Sequence, residues 1–284
     1  MGHQIAWFFG LMLAIAWGVP VGMLFLARVF GLDPPKFSAF NPVVAWSPAI
    51  AACIVITVSR GIPRLQSFVR RLAEWPAGMG WYAFALAGMP VACLIASMLA
   101  AIGSQSGFGP PAGGWGTIAL EALLRAVATP VAELGLRGFA QPMLQRRRSA
   151  TESSVIIGVM WVVWLLPAFT LAPGFMSPAG PAPDLQLAAF AVRTISLSVI
   201  LGMVYNRTHG SIPVCMLVHW TASLAYPGEG SAAALPAQAL VFAALAFSLG
   251  VALRGGLTPG SLERHVTRLP RVEAESATDR PVTT

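Results

Sequence analysis

Glu133 and Arg137 stand four residues apart in Ala132-Glu133-Leu134-Gly135-Leu136-Arg137-Gly138, inside a chain that carries few charges. Burying either charge alone in hydrocarbon costs several kcal/mol, so two opposite charges here must serve each other or a reaction. On a helix, a spacing of four stacks both side chains on one face. The carboxylate is a candidate general base, and the pair is equally a candidate structural tie. His219 adds an imidazole that can take or give a proton near neutral pH. Glu133, Arg137 and His219 are therefore the candidate catalytic residues. Ser223, one turn beyond His219, brings a single hydroxyl donor. Trp161 and Trp164 bring flat apolar faces and N–H donors. These three are the candidate binding residues, with helix packing as their plainer role.

Those side chains must be held by membrane helices. Of the 284 residues, 56% are hydrophobic and only 10% charged, against roughly a quarter charged in a soluble domain. A mean hydropathy of +0.70 agrees. The expected class is all-α, a polytopic transmembrane bundle whose first partner is the lipid bilayer. The net charge of +7 is no nucleic-acid signature, because the basic residues are scattered between apolar runs. Cys53, Cys93 and Cys215 all fall in such runs and form neither a disulfide framework nor a metal spacing. No His-Glu-x-x-His occurs, and no metal or cofactor is expected. The start, Met1-Gly2-His3-Gln4, has no cation before its apolar run, so no cleaved signal peptide is expected. Ala6 breaks the myristoylation pattern.

A spanning helix needs about 20 mostly apolar residues. Eight segments qualify as candidates: 5–27, 41–58, 81–102, 116–145, 153–171, 186–205, 211–226 and 236–253. The fourth contains Pro130, which predicts a kink or a division into two pieces. The seventh is short. Residues 1–255 form the bundle in this reading, and 256–284 a polar, disordered tail. Arginines follow the second, fourth, sixth and eighth segments, whereas 103–115, 172–185 and 227–235 hold no Lys or Arg. That alternation predicts both termini cytoplasmic, and the expected location is a bacterial-type plasma membrane.

Three segments carry a family likeness. They are the Ala132–Gly138 stretch; Gly158-Val159-Met160-Trp161-Val162-Val163-Trp164-Leu165-Leu166-Pro167; and Tyr205-Asn206-Arg207-Thr208-His209-Gly210-Ser211-Ile212-Pro213, continuing to His219-Trp220-Thr221-Ala222-Ser223. In this order they resemble the CPBP (Abi) family, the type II CAAX-prenyl-endopeptidase-like intramembrane proteases, over roughly 116–226. The resemblance implies a water-activating Glu at the position of Ala132. It implies a structural Glu–Arg pair at Glu133 and Arg137, and a His at the position of Leu165. It further implies an oxyanion-stabilising His and Asn at His219 and Ser223. The pair and one His are present; Ala, Leu and Ser stand in the other places.

Helix geometry supports a shared site. Glu133 lies about 18 Å inside the basic end of its segment, and His219 about 12 Å from the same side. Pairing with Arg137 weakens Glu133 as a base, and no residue that would orient His219 is identifiable in the sequence. The leading expectation is a CPBP-like protein with a degraded catalytic site. It would be a non-hydrolytic scaffold of peptide-binding or immunity type, holding a membrane-embedded or lipidated peptide. The rival is an active endopeptidase using Glu133 and His219; a small-solute transporter is a third reading. Glu121 and Arg125 form a second four-residue pair. Arg193 is expected to be an unpaired cation that snorkels outward or meets Glu121.

Overall fold

A computed structural model describes residues 2–33, 41–104, 116, 120, 122–126, 129–171, 183–224 and 232–253. These residues form helices joined by turns: α1 (Gly2–Val29), α2 (Asn41–Arg60), α3 (Ile62–Arg70) and α4 (Met79–Ser104). α5 is composite, with Ala132–Gly135 and Gln141–Leu144 α-helical and Leu136–Ala140 a single π turn. Then follow α6 (Ala150–Leu171), α7 (Pro183–Arg207), α8 (Ile212–Ala222) and α9 (Ala234–Ala252). α5 sits innermost, packed against α2, α6 and α8, while α7 packs on α6, α8 and α9. Every residue from Ala132 to Gln141 is buried.

Five of the described helices are long and apolar enough to cross a membrane: α1, α2, α4, α7 and α9. The expectation of eight spans is therefore not met by length. Segment 153–171 is matched by α6, whose described apolar part, Ala150–Leu166, is shorter. Segment 211–226 is reduced to the 11-residue α8. Segment 116–145 does divide, with a turn at 129–131 around Pro130. Glu133 N–H and Leu134 N–H donate back to Pro130 O and Val131 O, starting α5 afresh. The tail 256–284 lies outside the described residues. Large apolar side chains such as Phe25 and Phe247 are 65% and 74% exposed, a surface that suits lipid rather than water.

A proline inside a helix removes the N–H that would serve the carbonyl four residues earlier, and hydrocarbon supplies no substitute. Side chains supply it here. Ser47 Oγ donates to Val44 O (2.8 Å), the carbonyl that Pro48 cannot serve. Arg71 Nη1 does the same for Gly138 O (2.8 Å) below Pro142. α6 begins with a reciprocal cap. Glu152 N–H donates to Ser149 Oγ (3.1 Å), and Ser149 N–H donates to Glu152 Oε2 (2.9 Å). The Ser149 backbone N–H, and then its hydroxyl, hold the exposed Glu152 carboxyl below its ordinary range, with Arg148 adding a little.

Candidate functional site

The first turns of α5 enter the core where α2 comes closest. At Gly135 a Cβ would collide with the Pro48 carbonyl, so only glycine admits this crossing. Tight packing there leaves Glu133 and Arg137 completely buried. Arg137 is the hub. Its Nε donates to Glu133 Oε2 (3.1 Å), Nη1 to Gln141 Oε1 (2.7 Å), and Nη2 to Ser198 Oγ (2.8 Å) on α7. Ser198 Oγ passes its own proton to Ser154 O (2.7 Å) on α6, and Gln141 Nε2 donates to Ser154 Oγ (3.2 Å). Gly202 on α7 leaves room for this, since a Cβ there would occupy the space of Ser154 Oγ. Three helices are thereby tied through one guanidinium.

The second carboxylate oxygen, Glu133 Oε1, lies 2.8 Å from His219 Nδ1 on α8. A carboxylate oxygen can only accept, so Nδ1 carries the proton and a neutral ring keeps its acceptor at Nε2. This corrects the expectation that nothing orients His219: Glu133 does. Buried Trp161 packs against the imidazole with ring centroids 4.7 Å apart. Spans four, five and seven thus meet at one place, with His219 only 3% exposed.

The remaining sequence candidates fall around this point. Ala132 is fully buried and Leu165 half-buried. Ser223 Oγ donates to His219 O (2.7 Å) one turn back, so its proton is used within the helix end. Ser223 O in turn accepts from Arg125 Nη1 (2.7 Å), and Trp220 Nε1 donates to Ala122 O (3.0 Å), pinning segment 122–126 against α8. Trp164 is buried against Trp161, with centroids 6.2 Å apart, and its carbonyl accepts from Trp17 Nε1 (3.3 Å). Its own Nε1 is buried and meets no acceptor among the described residues.

Arg193 departs from expectation. Its Nε donates to Gln238 Oε1 (2.6 Å) on α9 and its Nη2 to Ala222 O (3.3 Å), with the guanidinium 5.4 Å from the Phe242 ring centroid. It is held inside the bundle, neither unpaired nor snorkelling outward. Glu121, the other partner considered for it, lies outside the described residues. Gln141, Ser154 and Ser198 were not picked out from the sequence. Gln141 had a signal, since it continues the Glu133–Arg137 ladder by one more step of four; the two serines had none.

Among the described residues, no three His, Cys, Asp or Glu side chains gather as a metal site would require. Chemically, the arrangement offers a closed charge pair, an oriented imidazole and a tryptophan N–H in search of an acceptor.

With that geometry in view, residues 115–225 match the family model described as Type II CAAX prenyl endopeptidase Rce1-like. The match bears out the resemblance carried by the three motifs. No curated protein matches the chain.

Proposed function

We propose that this multi-pass membrane protein is a CAAX-protease-like scaffold that binds a membrane-embedded or lipidated peptide without hydrolysing it. The observation that carries the reading is the engagement of both Glu133 oxygens: Oε2 accepts from Arg137 and Oε1 lies against His219. Among the described residues no second carboxylate is seen beside it: position 132 is Ala, and position 165, where the family resemblance implies a His, is Leu. A missing general base costs about 10²–10⁴ in rate, and a missing oxyanion donor about 10²–10³. Ser223 does not replace that donor while its hydroxyl proton is given to His219 O.

The buried Trp164 Nε1 supports the binding half of the proposal. A buried donor without an acceptor costs about 1–3 kcal/mol, and a peptide carbonyl would recover it. The arginine alternation supports cytoplasmic termini, in what we take to be a bacterial-type plasma membrane.

The test is incubation of the reconstituted protein with prenylated and unmodified membrane peptides, followed by mass spectrometry of products. The expected result is peptide retention without cleavage, with retention weakened by Trp164→Phe. Cleavage that disappears in His219→Ala would overturn the proposal. It would favour the rival reading, in which Glu133 orients His219 and Nε2 takes a proton from water. That reading draws on the Nδ1–Oε1 contact.

A further inference from the structure

Away from the buried cluster, a cavity of about 500 Å³ opens between the end of α2, α3 and its continuation to Ala73, the end of α5, and the α7–α8 turn. Its lining is unusual for an apolar protein. Arg60, Arg64, Arg70, Arg71 and Arg146 face it, against one carboxylate, Glu74. Neither Arg64 nor Arg70 forms an ion pair with any described residue. Arg64 and Arg146 both lie near enough to Arg60 to repel it. Concentrating like charges costs energy unless an anion is to be received.

The back wall is built rather than incidental. Arg71 Nη1 holds Gly138 O, and its Nη2 holds both Tyr205 OH (3.0 Å) and Gly210 O (3.2 Å). Tyr205 is buried and accepts from Arg71, so its hydroxyl proton remains for a further acceptor. Phe68 and Phe139 give the floor an apolar face.

The position says which anion. Membrane-spanning α2 ends at Arg60, at the boundary where headgroups lie. α3 then runs on as a short helix mixing exposed Ile62 and Val69 with Arg64 and Arg70, the composition of a segment lying in the membrane interface. Guanidinium groups match phosphate oxygens in geometry as well as charge.

We propose that this cavity binds the phosphate of an anionic phospholipid headgroup, with Arg60, Arg64, Arg70 and Arg146 as its ligands and Tyr205 as a neutral donor. The site is separate from the Glu133 cluster and does not depend on whether that cluster performs chemistry.

The full-length protein in zwitterionic nanodiscs, titrated with phosphatidylglycerol and read by native mass spectrometry, tests this. Wild type should retain phosphatidylglycerol in preference to phosphatidylcholine. The double variant Arg64→Gln/Arg70→Gln should bind it about tenfold or more weakly, since each interfacial cation contributes measurably to anionic-lipid binding. Arg147→Gln/Arg148→Gln removes the same charge from exposed residues that do not line the cavity, and should weaken binding only a few-fold. Both variants should remain folded in phosphatidylcholine alone, with thermal unfolding of Arg64→Gln/Arg70→Gln no lower than that of wild type. Equal losses in the two double variants would reduce the effect to general surface charge and overturn the proposal. Capture of inorganic phosphate, or of an acidic-tailed peptide, with no retained phosphatidylglycerol would also overturn it.

Discussion

The buried cluster and the arginine-lined cavity solve the same problem in opposite ways. Around Arg137, the named polar groups answer one another within the protein: the Glu133 carboxylate, the Gln141 amide and the Ser198 hydroxyl converge on one buried guanidinium. At the cavity, five guanidinium groups and one carboxylate line an open space. Removing charges from water is tolerable only if the bundle closes the circuit itself; charges kept at the boundary can meet an external anion. A mutation should therefore act on stability in the first region and on ligand binding in the second.

The sharpest contrast is charge removal. Arg137→Ala leaves Glu133 buried without its partner and should cost about 3–5 kcal/mol, enough to abolish a folded bundle in detergent. Arg64→Gln should leave the unfolding midpoint where it is. Chemical denaturation of both in one detergent decides this, and equal losses would erase the distinction between the regions.

Next comes packing at the helix crossing that buries the cluster. Gly135→Val forces a side chain onto the Pro48 carbonyl and should cost about 1–3 kcal/mol or more, seen as a lowered Tm. A smaller effect is expected from Ser198→Ala, which leaves Arg137 Nη2 without its acceptor on α7. The penalty for such an orphaned donor is about 1–3 kcal/mol, and Ser198→Thr should restore most of it. The least effect belongs to the α6 cap. Because folding lowers the Glu152 pKa, its stabilisation is full above the unfolded carboxylate pKa and is lost as pH falls through the folded one. Glu152→Gln should remove that part of the acid dependence of Tm while leaving neutral-pH function intact.

Much of the molecule was legible in the order of its residues. Long apolar runs predicted membrane helices because hydrocarbon requires them. The spacing of Glu133 and Arg137 predicted their contact because four residues make about one helical turn. The eight-span reading is not confirmed by helix length, and backbone chemistry shows where hydropathy alone says too little. Pro130 ends one piece of the fourth segment, and the seventh yields only 11 helical residues in α8. Arg193 illustrates the other limit. It sits on a plainly apolar helix, and nothing local predicts that Gln238, 45 residues on, will receive it.

Local sequence was thus sufficient for the solvent in which this protein lives, for the helical class, and for the intrahelical charge pair. Each rests on short-range spacing and bulk composition, which no folding partner changes. The orientation of His219 by Glu133, the recruitment of Ser198, and the gathering of five arginines around one space belong to the assembled bundle. Those contacts join residues far apart along the chain, and their energies exist only once packing has excluded lipid and water from between the helices.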